Sequence, residues 1–117
     1  MNVKEYLSQA YRIDQRINSK FDQVVSLRGL ATKATSILSD TPHSASKNTH
    51  PMEEIIVKII ELENEINSEI DVLIDLKKEI MLIIKNINNP EQQTLLELRY
   101  LCFKTWEQIA VDMGYSI

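Results

Sequence analysis

The side chains of this sequence that could carry out chemistry are two histidines and several serines near the middle of the chain. His43 and His50 lie in a polar segment, residues 39–51, that is rich in serine, threonine and asparagine. An imidazole can bind a metal ion or activate a serine hydroxyl. A metal site would need cysteine or carboxylate ligands beside these imidazoles, and a flexible segment supports a catalytic group poorly. We therefore expect no metal site, no cofactor and no enzymatic activity.

The remaining reactive groups are one cysteine and many carboxylates. Cys102 is the only cysteine, so we expect a small buried residue in a protein of a reducing compartment. The carboxylates of residues 52–87 recur along a helical pattern and predict a solvated helix face. The net charge of −4 argues against a general nucleic-acid or membrane-surface binder. Because no apolar run is long enough to cross a membrane, we expect a cytoplasmic protein without a membrane partner.

The composition favours helices as the elements that position these groups. The chain has 117 residues, of which only two are glycine and three are proline, too few for the turns of a β-sandwich. Isoleucine and leucine are abundant, which is typical of helical bundles and coiled coils. The sequence predicts one all-α protein.

Two long helices follow from the apolar spacing. The first covers about residues 3–38, and its apolar or small residues recur every three or four positions. Lys20 interrupts this stripe, and Phe21 beside it could fill the place. The second covers residues 52–87, with Pro51 at or just before its first turn. Residues 39–51 between them predict a flexible linker.

The second long helix carries a sustained heptad stripe that we expect to form the core or an oligomer interface. Glu69 takes the one missing place in this stripe, with Ile70 next to it. The predicted core or interface residues are Ile55, Ile59, Leu62, Ile66, Leu73, Leu76, Ile80 and Ile83.

Charge and a second apolar stripe indicate how these helices associate. Residues 1–38 carry six basic and three acidic side chains, whereas residues 52–87 carry four basic and nine acidic ones. Opposite net charges suit an antiparallel hairpin. A neighbouring stripe contains Ile56, Ile60, Ile70, Ile74, Met81 and Ile84. The combined apolar surface is too wide for one partner helix, so we expect a homodimer or higher oligomer.

Residues 88–117 predict two short helices that form a separate region beyond the hairpin of residues 1–87. Asn89, Pro90 and Gln92 are typical of a helix start. Thr105 and Gln108 form a second capping box. A helix, a tight connection, a short capped helix and a glycine turn are how a helix-turn-helix begins.

The C-terminal residues resemble a known class of DNA-binding region. Leu98-Arg99-Tyr100, followed by residues 106–110 and 113–116, is similar to region four of bacterial sigma factors. It is more similar still to the sigma-like C-terminal part of small phage and prophage proteins of Gram-positive bacteria. That uncharacterised family is related to late-gene transcription activators. Residues 31–35 and 52–60 also resemble the family, so the similarity covers nearly the whole chain.

The resemblance implies a role for several C-terminal residues. Ile109, Ala110 and Met113 match core positions of the first helix of the motif, and Gly114 matches its turn. Positions at which such proteins approach DNA correspond to Lys104, Thr105, Trp106 and Ser116.

The implied function is transcription regulation, with one departure from the pattern. The recognition helix that reads base edges would begin at about Ser116, and we expect this chain to be truncated before it. In a regulator, the hairpin would mediate assembly or contact RNA polymerase, and DNA would bind only if a recognition helix follows Ile117. The alternative is a helical interaction module, for example a phage inhibitor of a host protein.

Overall fold

The protein is all-helical over the residues that its structure describes. A computed structural model describes residues 1–40 and 45–115, with the backbone alone for residues 36–40 and 45–50. Its four helices are α1 (Val3–Asp40), α2 (Ala45–Lys85), α3 (Pro90–Tyr100) and α4 (Trp106–Asp112). The predicted all-α class, with a long helical pair followed by short C-terminal helices, is confirmed. In the described part of the chain, no helix has the length and apolarity needed to cross a membrane.

The long helices extend further towards each other than the sequence predicts. α1 ends at Asp40 and α2 begins at Ala45, so most of the predicted linker 39–51 is helical. Pro51 lies inside α2 rather than at its first turn. Proline fixes a helical φ but has no amide hydrogen to donate to the carbonyl of residue 47. One hydrogen bond is lost there without ending the helix. Residues 41–44, including His43, lie outside the described residues.

The chain divides into two compact units. Unit 1 contains Met1–Gln15 and Asp71–Ile117, and unit 2 contains Arg16–Ile70. The division into domains at residue 87 stays a prediction, and these compact units group the helices in another way. The reason is that α3, α4 and their connections pack with the start of α1 and the end of α2 within unit 1.

Unit 2 is an antiparallel pair formed by parts of α1 and α2. Ion pairs join Arg16 to Glu69 and Arg28 to Glu63, so residue numbers rise along one helix as they fall along the other. Between the helices lie the buried side chains of Ile17, Val24, Leu62 and Ile66. Burial of these branched aliphatic side chains supplies most of the stability of such a pair.

The core of unit 1 draws on α1, α2 and α4. Its buried members are Leu7, Ala10, Ile13, Leu73, Leu76, Ile80, Ile84 and Ile109. Ile83, predicted to lie in the core or in an oligomer interface, is not part of this core, because it is 47% exposed while Ile84 is 3% exposed. A heptad stripe drifts by about 20° per repeat on a straight helix. By the end of α2, Ile84 therefore faces the core in place of Ile83.

The ends of α3 and α4 are fixed by the capping residues that the sequence predicts. The Asn89 side chain accepts hydrogen bonds from the amides of Glu91 and Gln92, which caps α3. After α3, the connection passes through Phe103, which has a φ of 60° in the left-handed region.

Cys102 is exposed, so the prediction of a buried cysteine is wrong. Phe103, rather than Cys102, is the side chain that this turn directs onto neighbouring helices.

Candidate nucleic-acid interface and interaction surfaces

The N-terminus of α4 is built by a complete capping box. The Thr105 hydroxyl accepts a hydrogen bond from the Gln108 amide, and the Gln108 side chain accepts one from the Thr105 amide. Each contact satisfies a backbone donor that the first turn of a helix would otherwise leave unpaired. Thr105 and Trp106, two of the predicted DNA-proximal residues, are thereby held at the exposed start of α4.

Two cationic side chains lie beside this helix start. The Arg99 guanidinium stacks over the Trp106 ring at 4.6 Å and donates a hydrogen bond to the Lys104 carbonyl at 3.0 Å. The Lys104 ammonium pairs with the Asp112 carboxylate at 2.5 Å. This hydrogen bond to Asp112 raises the pKa of Lys104 above its ordinary value. Lys104 is thus fully charged at neutral pH, but its charge is already compensated.

The arrangement offers a short strip of donors and one aromatic ring to an anionic backbone. Trp106 is half-exposed, and the Lys104 side chain keeps 39% of its surface accessible. Residues 88–117 nevertheless contain two basic and four acidic side chains, a weak electrostatic basis for phosphate binding. Ser116, the fourth predicted residue, lies outside the described residues. The strip could therefore position a nucleic acid by backbone contacts but could not read its bases.

The position of this strip depends on Phe103, which the sequence interpretation did not identify. The Phe103 ring meets the Tyr11 ring edge-on with 5.6 Å between centroids, and the Lys77 ammonium lies 4.7 Å from the Phe103 centroid. Both contacts lie within unit 1 and connect the turn after α3 to the two long helices. A phenylalanine between two short helices was the available signal, but its partners are distant in sequence.

The predicted interface stripe of α2 is mainly core within one chain. Buried positions are Leu62, Ile66, Leu73, Leu76 and Ile80. Ile55 and Ile59 are partly exposed. Since α1 already covers most of this stripe inside units 1 and 2, the stripe itself is not available to a second chain.

Lys20 and Glu69 interrupt the predicted apolar stripes of α1 and α2, and in unit 2 they contact each other. Lys20 and Glu69 are joined at 3.4 Å, and their side chains are 23% and 19% exposed. Arg16 adds a hydrogen bond to the same carboxylate at 3.0 Å, and Lys20 also approaches Glu65 at 3.7 Å. The other oxygen of Glu69, Oε2, is buried and has no hydrogen-bond partner among the described residues. We name these four residues the ionic edge of unit 2.

The expectation that Phe21 would fill the place of Lys20 is wrong. Phe21 is 48% exposed and lies on the opposite edge of the helical pair. There it lines a groove together with Ile60, Glu63, Asn64, Ile66, Asn67 and Ile70. The long side chain of lysine can reach a carboxylate from a half-buried position. Lys20 and Glu69 therefore pair with each other, and the Phe21 ring is not needed at the place of Lys20.

The second apolar stripe of α2 remains largely exposed to solvent. Ile56, Ile60, Ile74 and Met81 are each about half exposed, as expected for the second stripe. Ile84, assigned to the same stripe, is buried in unit 1 instead.

In the described parts of the chain, no group of three histidine, cysteine or carboxylate side chains could hold a metal ion.

Comparison with known proteins gives a family assignment. The search of curated proteins and the search of solved structures gave no match. A family model described as "Protein of unknown function (DUF1492)" matches residues 36–117, which is more than half of the chain. The matched residues include α2, α3 and α4, so they cover both the long acidic helix and the capped C-terminal pair. The chain belongs to this family, DUF1492.

Proposed function

We propose that this protein is a transcription regulator of phage or prophage type that acts in the bacterial cytoplasm without catalysing a reaction. The observation that carries the proposal is the geometry of α3, the connection through Phe103 and the capped α4, followed by Gly114 with a φ of 77°. This order of helix, tight connection, capped helix and left-handed glycine supports the first half of a helix-turn-helix. The sigma-like residues at the same positions agree with it.

In this proposal the parts of the molecule have different roles. α4 and the residues before it hold the DNA backbone, and base reading belongs to a recognition helix that would begin at about Ser116. Lys104 exchanges its partner Asp112 for a phosphate when DNA binds. The long helical pair mediates assembly or contacts RNA polymerase.

The experiment that tests the proposal is a fluorescence-anisotropy titration with duplex DNA from the protein's own genomic neighbourhood. It is run at about 50 mM and about 200 mM salt, because phosphate contacts make affinity depend on salt. The protein is tested as given and with any residues that its gene encodes after Ile117. Sequence-dependent binding by the longer chain supports the regulator, and failure of both chains to bind contradicts it.

Variants at the Lys104 pair make the test specific to the proposed surface. Asp112→Asn frees the ammonium for phosphate and is expected to strengthen DNA binding. Lys104→Ala is expected to weaken binding and to reduce the salt slope by about one contact. Lys58→Ala, which removes an exposed lysine of unit 2, is the matched control and should leave both quantities unchanged.

A second candidate function is a helical interaction module that docks on a host or phage protein, for example as an inhibitor. The observation that favours it is the exposed apolar stripe of α2, since such surfaces commonly mark protein contacts. A stoichiometric complex with another protein, combined with salt-independent and negligible DNA affinity, would favour this alternative.

A further inference from the structure

One edge of unit 2 is an open groove with both apolar and polar side chains along it. Its lining residues are Phe21, Ile60, Glu63, Asn64, Ile66, Asn67 and Ile70, and its volume is about 370 Å³. Val25 and Ile56, which are 68% and 48% exposed, lie one helical turn beyond Phe21 and Ile60. Because the two helices are antiparallel, both residues extend the groove towards the same end. We name Phe21, Val25, Ile56, Ile60 and Ile70 the apolar edge.

We propose that two copies of this chain associate through their apolar edges, so that two helical pairs form a four-helix bundle. This inference rests on the assembly role proposed above for the long helices and assigns it a surface. A helical pair buries only the side chains between its two helices. Packing a second pair against its open groove removes the apolar side chains of that edge from water, which is the arrangement of a four-helix bundle.

The charge of the apolar edge fits a second copy of itself. Among the described residues that line the groove, Glu63 alone is charged, and the Arg28 guanidinium holds its carboxylate at 2.9 Å. A two-fold interface brings the same patch of both subunits together, so an unpaired charge on it would repel its own copy. Asn64 and Asn67 carry amides that both donate and accept, and can therefore hydrogen-bond to an identical surface.

The other faces of unit 2 are unsuited to self-association. Val57 lies on the back of α2 among Glu53, Glu54, Lys58 and Glu61, which carry three negative charges and one positive. Two copies meeting there would bring carboxylates together. On the ionic edge, Glu69 and Glu65 already bind Arg16 and Lys20, so a second copy would have to displace existing partners. The apolar edge is the face on which self-association costs least.

The test is sedimentation velocity on the intact chain at micromolar concentrations, with two matched variants. Ile60→Glu places a carboxylate in the groove, and Val57→Glu places one on the back of the same helix at a similarly exposed position. We expect dimers for the wild type and for Val57→Glu. For Ile60→Glu, we expect the dimer Kd to rise at least about 30-fold, which corresponds to a loss of about 2 kcal/mol.

Several results would overturn the inference. They are a monomeric wild type, which would leave the groove to another partner, an Ile60→Glu variant that dimerises like wild type, or equal loss of dimers in both variants. Circular dichroism checks that helicity is unchanged. If Ile60→Glu does not fold, Val25→Glu on α1 tests the same edge from a more exposed position.

Failure of this inference can be distinguished from failure of the proposed function. Dimers without DNA binding would support the apolar edge and contradict the regulator. DNA binding by a chain that remains monomeric would support the regulator and contradict dimerisation through the apolar edge. The two measurements are independent because the variants lie in unit 2, whereas the proposed DNA contacts lie in unit 1.

Discussion

The two compact units use different means to fix the same two long helices. Unit 2 is a helical pair whose edges differ, one with ion pairs among Arg16, Lys20, Glu65 and Glu69, and the other with an open groove at Phe21 and Ile60. Unit 1 adds two short helices, and its connection contributes Phe103, whose ring contacts Tyr11 and Lys77. Ion pairs therefore join the long helices along one edge of unit 2, whereas in unit 1 an aromatic ring from a connection contacts both of them.

The greatest change in the free energy of unfolding is expected for a substitution in the core of unit 1. Ile80 is fully buried and Ile83 is 47% exposed, although a strict heptad places both in one stripe. Ile80→Ala should lower the free energy of unfolding by about 2–5 kcal/mol, because it removes buried methyl groups and leaves a cavity. Ile83→Ala should change it by about 0.5 kcal/mol. Urea unfolding measures both, and equal losses would restore the heptad assignment.

A smaller effect is expected at the ionic edge of unit 2. Lys20→Met leaves the partly buried Glu69 carboxylate with one partner fewer and should cost about 1–3 kcal/mol. The double variant Lys20→Met with Glu69→Leu should recover most of this loss, because it removes both half-buried charges. A double-mutant cycle in urea measures the coupling. Arg28→Ala breaks a more exposed pair and serves as the control, with a loss below about 1 kcal/mol. Additive single effects would show that Lys20 and Glu69 are not coupled.

At the start of α4 the expected effect is local. Thr105→Ala removes the hydroxyl that caps the helix and should destabilise it by about 1 kcal/mol. Hydrogen exchange at the Gln108 amide should become faster, while exchange in unit 2 should not change. Thr94→Ala is the control, since the Thr94 hydroxyl only bonds a carbonyl within exposed α3. Unchanged protection of Gln108 in Thr105→Ala would contradict the capping assignment.

The smallest effect concerns pH and the Tyr6 contact in unit 1. The Tyr6 hydroxyl donates a hydrogen bond to Glu79 at 2.8 Å, and this bond raises the pKa of Tyr6 above its ordinary value of 10.0. The protonated form is therefore favoured in the folded state. The contribution of Tyr6 to stability is complete below pH 10 and declines as pH rises through the raised pKa.

Comparison with Tyr6→Phe checks this pH dependence. The stability difference between wild type and variant should be largest near neutral pH and should shrink in alkaline solution. Ultraviolet absorbance of tyrosinate should also show one late titration that the variant lacks. A constant difference across the alkaline range would mean that the bond to Glu79 does not form.

Much of the helical framework followed from local sequence patterns. Caps at Asn89 and Thr105 depend only on neighbouring residues, and the structure contains both. Stripes of period three to four identified Ile17, Leu62 and Ile66 as core because helix geometry fixes which residues share a face.

Features that depend on distant partners could not be predicted in the same way. Lys20 and Glu69 each looked like an isolated defect, and only the register of α1 against α2 brings them together. Ile84 replaced Ile83 because helix drift accumulates over several turns. Phe103 took the inward position expected of Cys102 because the turn has a left-handed φ that local composition does not specify.

Transcription in vitro from the promoters beside the protein's own gene is the experiment that tests the proposed regulation of transcription. The complete natural protein is added to purified RNA polymerase of its bacterial host, with Lys104→Ala as the comparison. We expect wild type to change the amount of transcript from one of these promoters and Lys104→Ala to change it less. Equal transcript with and without the wild-type protein at every promoter would rule out the proposed regulation.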